Sequence, residues 1–109
     1  MFAGITLLGK PTLRLLKPNG GEKFIAGHTI TLNWDYRESS DQYKDVVIIL
    51  YKDGIKLKII AESAPNSGTF SWNIPADIPV SCNYRVRIRL KKDLSINDFS
   101  DGNFSIFSN

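Results

Sequence analysis

Residues 46–62 read Val46-Val47-Ile48-Ile49-Leu50-Tyr51-Lys52-Asp53-Gly54-Ile55-Lys56-Leu57-Lys58-Ile59-Ile60-Ala61-Glu62. An Asp-Gly pair between two apolar runs is a strong two-residue hairpin signal, because the favoured turn needs positive φ at both central positions. The pair therefore predicts strands over Val46 to Lys52 and Lys56 to Glu62, with Lys52 opposite Ile55, Leu50 opposite Leu57 and Ile48 opposite Ile59. Paired residues share a face, so Val46, Ile48, Leu50, Leu57 and Ile59 are expected to point into a core. The other face then carries Val47, Ile49, Tyr51, Lys56, Lys58 and Ile60.

Working outward, the same short-period pattern recurs along the chain. Thr12 to Lys17 reads as a strand closed by the turn residues Pro18-Asn19-Gly20-Gly21. Lys23 to Ile25 is a short extended piece. Thr29 to Asp35 alternates, with Ile30, Leu32 and Trp34 on one face. The polar stretch from Arg37 to Asp45 reads as a loop. Thr69 to Ile74, Asn83 to Lys92 and Asn103 to Phe107 complete about seven main strands. Pro75 to Pro79 reads as a corner, since proline cannot join a central ladder. No helical period, internal repeat or low-complexity tract stands out. This is the pattern of an all-β, immunoglobulin-like two-sheet antiparallel sandwich.

Composition narrows the chemistry. The chain has 109 residues, room for one domain, and is 42% hydrophobic and 23% charged, as a folded domain should be. Thirteen Ile, ten Leu and four Val against five Ala favour strands over helices. One Cys and one His exclude an intrachain disulfide and a Cys/His zinc site. Apolar runs are far shorter than the roughly 20 residues of a spanning helix, so no membrane span is expected. The opening Met1 to Lys10 lacks a basic region, and Gly4 breaks its apolar run, so it reads poorly as a secretory signal. We place an N-terminal extension at 1–11 and the domain at 12–109.

In the long strand, Tyr84, Val86, Ile88 and Leu90 are expected to face inward, with Arg85, Arg87 and Arg89 outward. Tyr84 lies two residues before Val86, the placement of a tyrosine corner whose hydroxyl bonds backbone near the preceding turn. Trp34 and Trp72 fall on inward positions of different strands and are expected to fill the space an inter-sheet disulfide would otherwise occupy.

Several local patterns then add up: Pro18-Asn19-Gly20-Gly21-Glu22, Ala26-Gly27-His28-Thr29, Ile30-Thr31-Leu32-Asn33-Trp34, Gly68-Thr69-Phe70-Ser71-Trp72-Asn73-Ile74-Pro75 and Asn83-Tyr84-Arg85-Val86-Arg87-Ile88. With Asp98 to Ile106, their order and spacing resemble the Kre9/Knh1-type domain, also described as the Ser-Thr-rich glycosyl-phosphatidyl-inositol-anchored membrane family. The resemblance runs from about Leu13 to Phe107. It implies an immunoglobulin-like sandwich used as one module of a secreted or cell-surface protein. In fungi it implies association with cell-wall β-1,6-glucan assembly, and in bacteria and archaea an accessory module beside enzymes or adhesive domains. The family has no established catalytic residues to carry over. The chain shows neither a Ser/Thr-rich tail nor an anchor signal.

The most informative surface is the outward face of the central sheet. If the hairpin's first strand neighbours the arginine strand, Lys56, Lys58, Arg85, Arg87 and Arg89 surround Val47, Ile49, Tyr51 and Ile60. The simpler reading is long basic stems lying over apolar neighbours with their heads in water. The functional reading is a contact surface for a neighbouring domain, another protein, a glycan, an acidic polymer or a second copy. Arg over Tyr51 would add a cation–π contact. On the functional reading, Arg87→Glu weakens partner binding and leaves melting nearly unchanged. A glycan reading, as a carbohydrate-binding accessory module, would rest on Tyr51 with Tyr36 or Tyr43.

Other chemistries have thin support. Asn97 to Asn103 gathers oxygen ligands near Gly102 but misses the EF-hand spacing, so local turn bonding is preferred to weak calcium binding. His28 sits in a turn without a Ser or Asp motif, and Cys82 has no second thiol. No spacing forces two carboxylates together as glycoside hydrolysis requires. Asn103-Phe104-Ser105 fits a glycosylation sequon at a strand start. Nucleic acid fits poorly, because the outward aromatics reduce to Tyr51. We therefore expect a non-catalytic module that acts as a spacer or protein-interaction domain, with no enzyme activity, no cofactor and no metal.

Overall fold

The computed structural model describes residues 11–37 and 43–109; residues 1–10 of the expected extension and the middle of the Arg37 to Asp45 loop lie outside them. Among the described residues there are nine strands and no helix: β1 (Thr12–Lys17), β2 (Lys23–Ile25), β3 (Thr29–Arg37), β4 (Asp45–Lys52), β5 (Ile55–Pro65), β6 (Thr69–Asn73), β7 (Ser81–Leu90), β8 (Asn97–Phe99) and β9 (Phe104–Phe107). A smaller sheet runs β1-β3-β6. A larger one runs β2-β9-β7-β4-β5, with β8 paired to β7. Among the described residues no helix is long and apolar enough to cross a membrane.

The two sheets close on one core. Leu15, Leu32, Trp34 and Trp72 enter it from the smaller sheet, and Val46, Ile48, Leu50, Tyr84, Val86, Ile88, Leu90, Phe104 and Ile106 from the larger. Trp34 and Trp72 are almost wholly buried on the inner face of the smaller sheet, as expected. The Trp34 indole N–H donates to Asn66 Oδ1 at 2.8 Å, so its polar end is satisfied. Tyr84 is also fully buried. Its hydroxyl donates to the Pro79 carbonyl, which makes the expected tyrosine corner, and its ring stacks on Phe104 at 6.0 Å.

Three sequence expectations need correction. The sandwich is not wholly antiparallel, because β2 runs parallel to β9. The first edge strand changes sheets at Pro18: β1 pairs with β3, and after the turn β2 joins the larger sheet. The switch brings backbone against backbone. A Cβ on Gly20, whose φ is +141°, would lie 3.2 Å from the Gly102 Cα, so glycine is required there. Second, β8 is an unexpected strand in the segment weighed for calcium. Third, the hairpin register holds only at its tip.

The turn itself is as expected, with Asp53 at φ 54° and Gly54 at φ 78°, and Lys52 faces Ile55. Tyr51 still pairs with Lys56 in that register, but beyond it the ladder slips: Leu50 pairs with Lys58, Ile49 with Ile59 and Ile48 with Ala61. Bulges let β5 carry extra residues against β4. Leu57, expected in the core, is 42% exposed, and Ile59 pairs with outward-facing Ile49. Ile60, expected outward, packs against the core instead.

Candidate functional site

The site is built on β4 and β7, whose register is unbroken: Val47 faces Arg89, Ile49 faces Arg87 and Tyr51 faces Arg85. All six residues stand on the outer face of the larger sheet because their neighbours Val46, Ile48, Leu50, Val86, Ile88 and Leu90 fill the core. Val47 and Ile49 are nevertheless only 4% exposed. Arg89 and Arg87 stand directly across the ladder from them, where long stems can lie over apolar neighbours with their charged heads outward.

Phe99, on β8, organises this face. The β7–β8 ladder sets Arg87 opposite Phe99 and Arg89 opposite Asn97. The Arg85 and Arg87 guanidinium carbons lie 5.1 and 5.5 Å from the Phe99 ring centroid, and Tyr51 meets that ring edge to face at 5.0 Å. Arg85 donates through Nε and Nη2 to the Ser100 carbonyl at 3.1 and 2.6 Å. Arg87 donates from Nε to Asn97 Oδ1 at 3.2 Å, and from Nη1 to the Tyr51 hydroxyl at 3.4 Å. The cation–π partner is thus Phe99, where the sequence pointed to Tyr51. The missed signal was Phe99 itself, an aromatic inside a polar segment read wholly as turn.

None of these contacts neutralises charge. Among the described residues, Arg85, Arg87 and Arg89 have no carboxylate within ion-pair distance. Arg89 has no hydrogen-bond partner among the described residues either, and it borders an open cleft of about 360 Å³ with Val47, Ile59, Glu62, Lys91 and Leu94. Glu62 is the one carboxylate among the described residues lining that cleft.

Of the other residues read onto this face, Lys56 lies beside Tyr51, as its pairing requires. Lys58 and Ile60 do not join it. Lys58 pairs with inward-facing Leu50 and lines a separate cleft with Leu57, Pro75, Asp77, Ile78 and Pro79, and Ile60 packs on the core. Tyr36 and Tyr43, weighed as sugar platforms, also pack against the core.

The segment weighed for calcium spends its oxygens locally. Asp98 Oδ2 accepts from the Leu15 backbone N–H at 2.8 Å, Asp101 Oδ2 from Asn19 Nδ2 at 3.0 Å, and Asn97 Oδ1 from Arg87. No cluster of three or more His, Cys, Asp or Glu among the described residues is placed to hold a metal. His28 is exposed in its turn, and Cys82 is an exposed free thiol beside Asn83.

Fold and face together define an immunoglobulin-like β-sandwich module. The chain belongs to the family of Kre9/KNH-like N-terminal Ig-like domains, whose family model matches residues 17–106. A search of curated proteins finds no match. Among solved structures the chain is similar to the fibronectin(III)-like modules of Clostridium thermocellum CbhA, at 16% identity and a TM-score of 0.54. That similarity covers 92% of this chain and 47% of the other, so this chain spans about half that structure's length. At this identity the likeness bears on the fold alone.

Proposed function

We propose that this domain is a non-catalytic contact module of a secreted or cell-surface protein, binding an acidic partner across the outer face of β4, β7 and β8. The observation that carries this reading is the row Arg85, Arg87 and Arg89, half-buried on one face without an acidic partner among the described residues. Half-burying three like charges is unfavourable, and departures of that kind gather where a surface has work to do. Phe99 and the backbone hold two of the guanidinium groups in place, which lowers the ordering cost on binding. Membership of the Kre9/KNH-like family supports the extracellular placement.

The strand layout supports a module set in line with its neighbours. β1 starts toward the Leu90 end of β7, since Leu15 bonds Asp98 opposite Ile88 and the chain then runs toward Ser105. The last strand ends at the other pole, where Ile106 faces Ser81. The two poles lie roughly 30 Å apart, the rise of a ten-residue strand. The alternative, a carbohydrate-binding accessory module, is less well served. Its aromatic rings need an open face, whereas Phe99 is occupied by two guanidinium groups and Tyr51, and Tyr36 and Tyr43 pack inward.

The test is a titration of the ¹⁵N-labelled domain with poly-glutamate as the acidic probe. Shifts confined to the amides of β4, β7 and β8 support the reading; scattered shifts, or none, reject it. A neutral-glycan array with wild type and Tyr51→Ala addresses the alternative: binding lost on that substitution would favour it.

A further inference from the structure

We infer that the arginine row of β7 seats an extended acidic polypeptide segment with carboxylates at alternate positions, an inference that rests on the contact face proposed above. Arg85, Arg87 and Arg89 are spaced two residues apart on one strand, so they repeat every ~6.6 Å along its axis. An extended segment presents its own alternate side chains to one side with the same repeat. Laid along β7, it sets three successive carboxylates over three guanidinium groups without a change of register. Its intervening residues point away from the sheet.

The surroundings make this a linear seat. On one flank run Val47, Ile49 and Tyr51, which lack charge; on the other run Asn97 and Phe99, which hold Arg87 and leave its charge unneutralised. Arg85 and Arg87 each spend two donors on the fold, leaving part of the fork free. Arg89 keeps its whole fork, so it can take a carboxylate bidentately. Glu62, at the Val47–Arg89 end of the face, disfavours a further carboxylate there and marks where the acidic run must stop.

The experiment uses two fluorescein-labelled nine-residue peptides of one composition. Each carries three Asp in a Thr background. One has them at the alternate positions 3, 5 and 7, so that all three fall on one side of an extended chain. The other has them contiguously at 4, 5 and 6, so that no more than two do. Anisotropy titrations are run with wild type, Arg89→Gln and Arg89→Lys. The alternating peptide should bind about tenfold more tightly than its isomer, as one well-formed charge-assisted contact accounts for. Arg89→Gln should remove about that factor, Arg89→Lys should recover part of it, and neither should move the melting temperature. Rising salt should weaken binding throughout.

Equal affinity for the two isomers overturns the inference, and so does an Arg89→Gln variant that binds as wild type does. Polygalacturonate that displaces the alternating peptide where the contiguous isomer fails overturns it in favour of an acidic polysaccharide. If poly-glutamate marks β4, β7 and β8 but the isomers bind alike, the contact face stands and the register falls. If poly-glutamate leaves that face unmoved, both fall.

Discussion

Replacing Tyr84 by Phe removes one oxygen from the middle of the fold and tests what the tyrosine corner contributes. The ring can stay where it is, stacked on Phe104 in a site with no solvent exposure, so the packing loss is small. What goes is the hydrogen bond to the Pro79 carbonyl. Phe leaves no orphan donor behind, and Pro79 is exposed, so its carbonyl can turn to water. The loss is therefore the net worth of one neutral hydrogen bond, about 1 kcal/mol, and not the larger penalty of a stranded buried group. For a domain of this size that lowers the melting temperature by roughly 4 °C at pH 7. Calorimetry on both proteins measures it, with Tyr84→Ala as a reference expected to lose about 3–5 kcal/mol of packing.

The pH dependence of that difference is a second, sharper readout. Burial, and then the negative charge of Asp53, raises the Tyr84 phenol above its ordinary 10.0. The folded state thus keeps the proton at pH values where the unfolded chain gives it up. Its contribution is whole below pH 10 and is lost as pH rises toward the folded value. The gap between wild type and Tyr84→Phe should be constant from pH 6 to 9 and shrink above 10. An unchanged melting temperature at pH 7, or a gap that widens in alkali, would refute the reasoning.

Gly20→Ala must place a Cβ 3.2 Å from the Gly102 backbone at a φ few side chains adopt, so urea unfolding should show a loss of about 1–3 kcal/mol. Gly102→Ala, which meets Gly20 at 3.4 Å without a positive φ, should lose less. Asp98→Ala strands the Leu15 N–H, which is part-buried, and should lower stability by about 1–2 kcal/mol; calcium added to wild type should leave the melting temperature unmoved. Asp53 is held below its ordinary 3.8 by hydrogen bonds from Lys52 and Asn83. Its stabilisation is present above pH 3.8 and fades as pH falls through the folded value, so Asp53→Asn should flatten acid unfolding there, read by circular dichroism. Contrary to the expectation from sequence, Arg87→Glu should lower the melting temperature, because Asn97, Tyr51 and Phe99 hold that guanidinium; Arg89→Gln should not.

The strands that alternate cleanly were readable residue by residue. β3 buries Leu32 and Trp34, and β7 buries Tyr84, Val86, Ile88 and Leu90, because a half-buried strand writes its inner face in every second position. β5 was not readable that way. Leu57, Ile59 and Ile60 are all apolar, so the pattern could not tell which residue a bulge would turn outward, and the turn fixes register only until the first bulge. Phe99 was lost because three residues of strand lie among Asn, Asp, Ser and Gly, whose local bonding dominates the composition. The unbroken run Val46 to Leu50 did carry a further message. A strand covered on both faces reads as continuous hydrophobicity, and all five residues are buried.

That last point removes the opposition between basic stems that merely cover apolar surface and a basic face that binds. Val47 and Ile49 are buried on the outer face, and Arg89 and Arg87 stand directly across the ladder from them, where methylene stems can serve as a cover. A leucine could cover them equally well, and nothing in the core demands a charge at the end of the stem. The fold thus accounts for three long side chains at 85, 87 and 89 and leaves their charge unexplained. Phe99, Asn97 and the Ser100 carbonyl orient the guanidinium groups of Arg85 and Arg87 but neutralise neither. Stability and recognition then draw on different atoms of the same residues. A substitution that keeps two of the three stem methylenes and removes the charge, Arg89→Gln, separates the two where truncation to alanine would confound them.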